Sequence, residues 1–162
     1  MSDYGVPTDP SDALPWAWAE QRLVASRNFW VVTASASGRP HSMPVWGVWV
    51  PETERFWFSS SPDARKVRNI RENPQCVVTV DDTVECVSVE GVARIVDPAL
   101  EQEAVDSAIA AYALKYGDGE SSEAELAEFV AAHALVEVRP DRAFGIIERA
   151  EEFAQRATRW RW

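Results

Sequence analysis

Between residues 59 and 69 the chain reads Ser59-Ser60-Ser61-Pro62-Asp63-Ala64-Arg65-Lys66-Val67-Arg68-Asn69. Hydroxyls, a turn and three cations in so short a run are the groups that grip an oxyanion. Backbone N–H groups at a helix start point at such a ligand, and guanidinium or ammonium groups add charge-assisted hydrogen bonds. The run follows an aromatic, strand-like segment, Arg55-Phe56-Trp57-Phe58, and opens a stretch of helical spacing that stops at Asn73-Pro74. The chain carries a net charge of −10, so a positive island needs a reason. A charge pair on a short helix is ordinarily a solvated face. The serines before it and the strand-to-helix corner favour an anion site built from Ser59, Ser60, Ser61, Arg65 and Lys66. Asn69 is assigned to the same site or to bracing its loop. Arg68, two positions past Lys66, turns to another side of the helix.

A second stretch, Met43-Pro44-Val45-Trp46, suits a flat heterocycle. Pro44 has no N–H to give a sheet ladder, so the strand is locally an edge or a bulge. Backbone groups freed there can bond the carbonyl and N–H edges of a ring. The competing reading is a strand with ordinary aromatic packing. His41 flanks this stretch and is read as a half-exposed strand histidine, and His133 as a surface residue. No Ser/His/Asp set appears in recognisable context, so no catalytic side chain is named. Neither a CxxC pair nor a His/Cys cluster is present, so no metal site is expected. Cys76 and Cys86 are read as two thiols rather than a disulfide.

These residues need strands and short helices to hold them. Apolar spacing predicts a first helix over 14–27, after a loose polar arm over 1–13. β-branched and aromatic runs predict strands over 29–34, 40–50, 55–59, 75–80 and 85–96, joined by hairpin-length turns. A short helix is expected over 63–72. Gly91 marks a bulge or bend in the long strand. Asp97-Pro98 is read as the cap of a helix reaching about residue 116. A further helix is expected over 122–133, strands over 134–139 and 144–147, and a charged tail over 148–162. The acidic stretch 101–128 is read as a solvated helix pair beside a substrate entrance. The whole is one mostly-β domain over 14–162 with peripheral helices and a helical insertion near 98–133. Its antiparallel sheet is most stably closed as a barrel.

Composition narrows the function. Acidic residues outnumber basic ones 26 to 16, which argues against nucleic acid and against an anionic membrane surface. No apolar run is long enough for a membrane span, and residues 1–15 have no basic or apolar signal region, so a cytoplasmic protein is expected.

The ordered set Phe29-Trp30-Val31-Val32-Thr33, Gly38-Arg39-Pro40-His41, Pro44-Val45-Trp46-Gly47, Phe56-Trp57-Phe58-Ser59, Arg65-Lys66-Val67-Arg68-Asn69-Ile70 and Asn73-Pro74 resembles a known family. It is similar to the split β-barrel flavin and deazaflavin oxidoreductases, the pyridoxamine 5'-phosphate oxidase-like, FMN-binding superfamily. The likeness covers residues 14–96, with a weaker echo near 134–139 and in the tail. It implies a six- or seven-stranded antiparallel split barrel, paired as a homodimer with cofactor sites at the interface. It implies coenzyme F420, or alternatively FMN, with the phosphate on Ser59–Ser61, Arg65, Lys66 and Asn69 and the ring along Met43–Trp46. The Thr33…Gly38-Arg39-Pro40-His41…Pro44-Val45-Trp46 wording looks more like the F420-using branch. The activity implied is hydride transfer between that cofactor and a small organic substrate; a non-catalytic cofactor binder is the other outcome. Tail residues Arg159 and Trp160 are expected at the cofactor site of a partner subunit. Many relatives carry a hydroxyl just before the Arg-Lys pair, where this chain has Ala64. The lost hydrogen bond is worth about 1.5–3 kcal/mol unless Ser60 or Ser61 replaces it.

Overall fold

A computed structural model describes residues 9–117, 125, 128, 132–152 and 156–162. Its helices are α1 (Trp16–Ala25), α2 (Arg65–Glu72) and α3 (Gln102–Tyr116). Its strands are β1 (Asn28–Ala34), β2 (Pro40–Val50), β3 (Arg55–Ser60), β4 (Gln75–Val80), β5 (Glu85–Ile95), β6 (Ala134–Ile147) and β7 (Thr158–Arg161). The helix expected over 122–133 falls almost wholly outside the described residues. Of the expected N-terminal arm only 9–13 is described.

The strands form one antiparallel sheet in the order β3-β2-β1-β4-β5-β6-β7. Pairing of β3 with β6, from Phe56↔Val138 to Ser60↔Ala134, closes six of them into a barrel. The seventh, β7, lies beside the other half of β6, from Arg142↔Arg161 to Gly145↔Thr158. β3 and β7 thus share one edge of the long β6. Inward residues alternate along the strands as a period of two demands. Phe29, Val31, Phe56, Phe58, Val78, Val87, Val89, Val136 and Val138 fill the interior, and Ala19 and Leu23 of α1 join them. A second core lies outside the barrel wall. There Val105, Ala108, Ile109 and Tyr112, one helical stripe of α3, cover Val48, Val50, Trp57 and Leu135.

Two sequence expectations change here. Residues 134–147 form a single strand and not two, despite Pro140. The register of β5 against β6 shifts between Glu90 and Gly91, and Gly91 sits opposite Pro140. The expected bulge at Gly91 is therefore what lets β6 run through a residue that cannot donate to a ladder. A Cβ on Gly91 would lie 2.2 Å from the Arg139 carbonyl oxygen. Within the charged tail, residues 158–161 form a strand. Helix α3 starts at Gln102 because Asp97 does not cap it. Its carboxylate and carbonyl instead take the N–H groups of Ala99, Leu100 and Glu101 in a turn. Among the described residues no helix is long and apolar enough to cross a membrane. Cys76 and Cys86 are both free thiols.

Candidate functional site

The site begins with a mismatch of strand lengths. β1 pairs with β2 from Pro40 to Trp46, whereas β3 pairs only with Gly47–Val50. Residues 40–46 therefore have an open edge on the side where β3 ends and the chain turns into α2. The two stretches singled out from sequence form the two lips of this gap: Met43, Pro44, Val45 and Trp46 on β2, and Ser59, Ser60 and Ser61 on the other side. Pro44, opposite Trp30 of β1, lies within this open-edged stretch. Met43 is exposed although Val31, opposite it, is fully buried, because no strand continues beside it.

Helix α2 closes one end of the gap. Lys66 is half-buried, and its ammonium donates to the Ser60 hydroxyl at 3.3 Å. Burial pulls its pKa below the usual lysine value. Arg65 is exposed. Ala64 occupies the N-cap of α2 with no side-chain bond to the helix, so no side chain there competes for the leading N–H groups. Asn69 does not face the gap as a free ligand. It is buried, and its amide donates to the Thr33 hydroxyl at 2.9 Å, which fixes α2 against β1. Arg68 points away and donates to the Asp63 carbonyl. His41, opposite Thr33 on β2, has its pKa lowered by burial first and then by the charges of Arg65 and Lys66.

The other end is shaped by α3, which sequence reading left as a solvated helix. Tyr112 donates to the Trp46 carbonyl at 3.0 Å, where β2 and β3 part, and Ser59 lies close by. Tyr116 accepts from the Gly47 N–H at 2.9 Å and stacks on Trp46, with ring centroids 5.4 Å apart. Arg27 lies over both rings. The Lys115 ammonium donates to the Gly47 carbonyl at 3.2 Å. The signal for these residues was present as the i, i+4 pair Tyr112/Tyr116. Its target, 65 to 70 residues away in sequence, was not.

Arg159 and Trp160 lie elsewhere. Arg159 and Arg161 of β7 join Ser88, Glu90, Arg142 and Phe144 around a hollow of about 470 Å³. Arg142 and Arg161 stand directly opposite each other, a like-charge pairing that destabilises a sheet. Glu90 pairs with Arg142 at 3.1 Å. The Trp160 ring is committed to its own chain, 5.6 Å from Trp16 and against Gly145. Along the sheet the register path Ser42–Val32–Val77–Glu90–Arg142 puts four strand steps between the gap and the hollow.

A six-stranded antiparallel barrel closed by β3 on β6, with a seventh strand beside β6 and a short helix after β3, defines a split β-barrel. The chain belongs to the pyridoxamine 5'-phosphate oxidase family, whose model matches residues 18–146. No curated protein matches it. Among solved structures, a conserved hypothetical protein of Mycobacterium tuberculosis is similar at 20% identity and a TM-score of 0.68, over 91% of this chain and 85% of the other. An F420 reductase is similar at 23% identity and a TM-score of 0.55, over 76% and 94%. The heme storage protein HutZ of Vibrio cholerae is similar at 20% identity and a TM-score of 0.58, over 78% and 87%. At such identities the likeness extends to the fold and not to the ligand.

Proposed function

We propose that this chain is an oxidoreductase that holds a phosphorylated flavin-type cofactor in the gap between β2 and β3, coenzyme F420 in the first reading and FMN in the second. The observation that carries the proposal is convergence. Two stretches separated in sequence, each suited to one end of such a molecule, line one gap, with Lys66 bonded to Ser60 across its floor. The residues present fit the group. Lys66, Arg65, Ser60 and Ser61 are donors for a phosphate, and the leading N–H groups of α2 meet no side-chain cap. The open edge of β2 offers backbone groups to a planar ring.

Such a cofactor supplies the hydride chemistry when bound. The chain's own task is to hold and to shield. Arg65 and Lys66 anchor the phosphate, residues 43–46 set the ring's position, and Asn69 keeps α2 in place through Thr33. Tyr112 and Tyr116 fix the backbone of Trp46 and Gly47, so the ring meets a rigid wall.

F420 is favoured by the wording of residues 33–46. FMN is favoured by the chemistry of His41 taken up below. The proposal includes a homodimer, in which Arg159 and Arg161 of one copy approach the gap of the other.

Titration of the purified protein with F420 and with FMN, followed by quenching of its eight tryptophans, tests the proposal. Lys66→Ala is expected to weaken binding by about tenfold or more, the worth of a charge-assisted hydrogen bond. Unchanged affinity would remove Lys66 from the site. Tight binding without turnover on a panel of small acceptors would make the chain a cofactor binder.

A further inference from the structure

His41 sits beside the cation pair with a buried ring nitrogen that bonds to nothing. It stands opposite Thr33 across the β1–β2 ladder, so the two side chains share a sheet face. The Thr33 hydroxyl takes the Asn69 amide, which lays α2 over this pair. Arg65 and Lys66 precede Asn69 by four and three residues and share its helix face. Lys66 reaches back to Ser60 at the end of β3. α2 thus brings two cations to the imidazole of β2, and its Nδ1 is buried without a hydrogen-bond partner. A buried polar nitrogen without a partner is costly, and a ligand oxygen is what such an atom lacks.

The charges that face His41 are both positive, Arg65 and Lys66 from α2. β1 offers Thr33, and β4 behind it offers Cys76, opposite Thr33. Burial pushes that thiol up to about 12, so it stays neutral. β3 offers a hydroxyl. Asp63, in the turn before α2, and Arg39, two residues before His41, are exposed. Burial first, and then Arg65 and Lys66, hold the imidazole pKa below the ordinary histidine value. A doubly charged anion between it and those cations reverses the field.

We propose that His41 is a third ligand of the phosphate and takes up a proton as a phosphate monoester docks, which makes the gap selective for a dianionic terminus over a phosphodiester. The proton comes from solvent, or from the phosphate's own monoanionic form, and ends between the imidazole and a phosphate oxygen. FMN ends in a monoester, whereas the phosphate of F420 is a diester. The proposal rests on the gap being the phosphate site and adds to it a rule of choice between the two coenzymes.

Isothermal titration calorimetry of the intact protein tests it, run at pH 7.5 in two buffers with different heats of ionisation. FMN is expected to bind with uptake approaching about one proton, and F420 with close to none. His41→Gln keeps a hydrogen-bonding side chain of similar reach but cannot titrate. It should abolish the uptake and weaken FMN by about tenfold, while changing F420 by less than about threefold. FMN binding without proton uptake, or uptake that persists in His41→Gln, overturns the proposal even if Lys66→Ala still weakens binding. No FMN binding, or FMN affinity indifferent to Lys66→Ala, overturns the phosphate site itself and the proposal with it.

Discussion

Lys115 shows how burial of one charge leaves a signature on the whole chain. Its ammonium donates to the carbonyls of Gly47 and Leu23 and sits 4.7 Å from the centre of the Phe29 ring. Burial pulls its pKa from 10.5 down to about 8. Between these values the unfolded chain binds more protons than the folded one, so stability rises with pH through this window. Lys66 is shifted in the same direction. The buried thiol of Cys76 is shifted upward, to about 12 from 9.0, and opposes the rise above pH 9. Denaturant unfolding of the native protein should therefore show stability increasing from pH 8 to pH 9. Lys115→Met should flatten the profile over that interval, because the shifted ammonium that drives it is gone. A native profile already flat would mean that the ammonium keeps its water. The residues proposed to hold an anion could be picked out of the sequence because hydroxyls, turn and cations lie in one run. His41 was not, since its meaning comes from α2, more than twenty residues further along the chain. Asn69 was placed at the right corner, but its partner Thr33 is on another strand, and only the packed barrel brings them together.

Elements were easier to find than their partners. Strands β1, β2, β4 and β5 were marked by β-branched runs between turn residues, and Gly38, with φ of 80° in the first hairpin, is where a left-handed residue is required. The break expected between two strands near Pro140 did not occur. Proline interrupts a strand only if a ladder bond is demanded of it, and the bulge at Gly91 removes that demand. That close approach gives a test. Gly91→Ala would set a methyl group 2.2 Å from the Arg139 carbonyl oxygen, and backbone on both sides must move. The variant should lose about 1–3 kcal/mol of stability, as overpacked sites do, seen as a lower denaturant midpoint with an unchanged slope. A neutral result would mean that the bulge relaxes freely. Helix α3 offered a clear stripe at 105, 108, 109 and 112. A stripe states that a face is buried and not against what. Sequence therefore put α3 beside a substrate entrance as a solvated helix, whereas its last turn holds the backbone of Trp46 and Gly47.

At the scale of the molecule the unresolved asymmetry is the outer face of β2, β1, β4, β5 and β6. Helix α3 covers the barrel wall at the far end of β2 and β3, but Trp30, at the middle of β1, is 46% exposed. In register beside it lie Pro44 on one side and Thr79, Ser88 and Phe144 on the other. One end of this face carries the gap, and the other carries the hollow of Arg142, Arg159 and Arg161. Within one chain four strand steps of the sheet separate them. Two copies packed face to face about a two-fold axis would cover both Trp30 rings and bring each arginine hollow toward the other copy's gap. The opposed guanidinium groups of Arg142 and Arg161 would then have an anion to share. A two-fold interface repeats every contact, so a single substitution acts twice. Trp30→Glu should cost on the order of 2 kcal/mol per copy. The dimer dissociation constant would rise about a thousandfold. Sedimentation velocity over a dilution series should show the native chain as a dimer and Trp30→Glu as a monomer, with unchanged far-ultraviolet dichroism. Cofactor affinity should fall in parallel, because the partner's arginines are lost with the interface. A native chain that sediments as a monomer, yet binds its cofactor as tightly as when concentrated, would assign the whole site to one copy and leave the arginine hollow outside it.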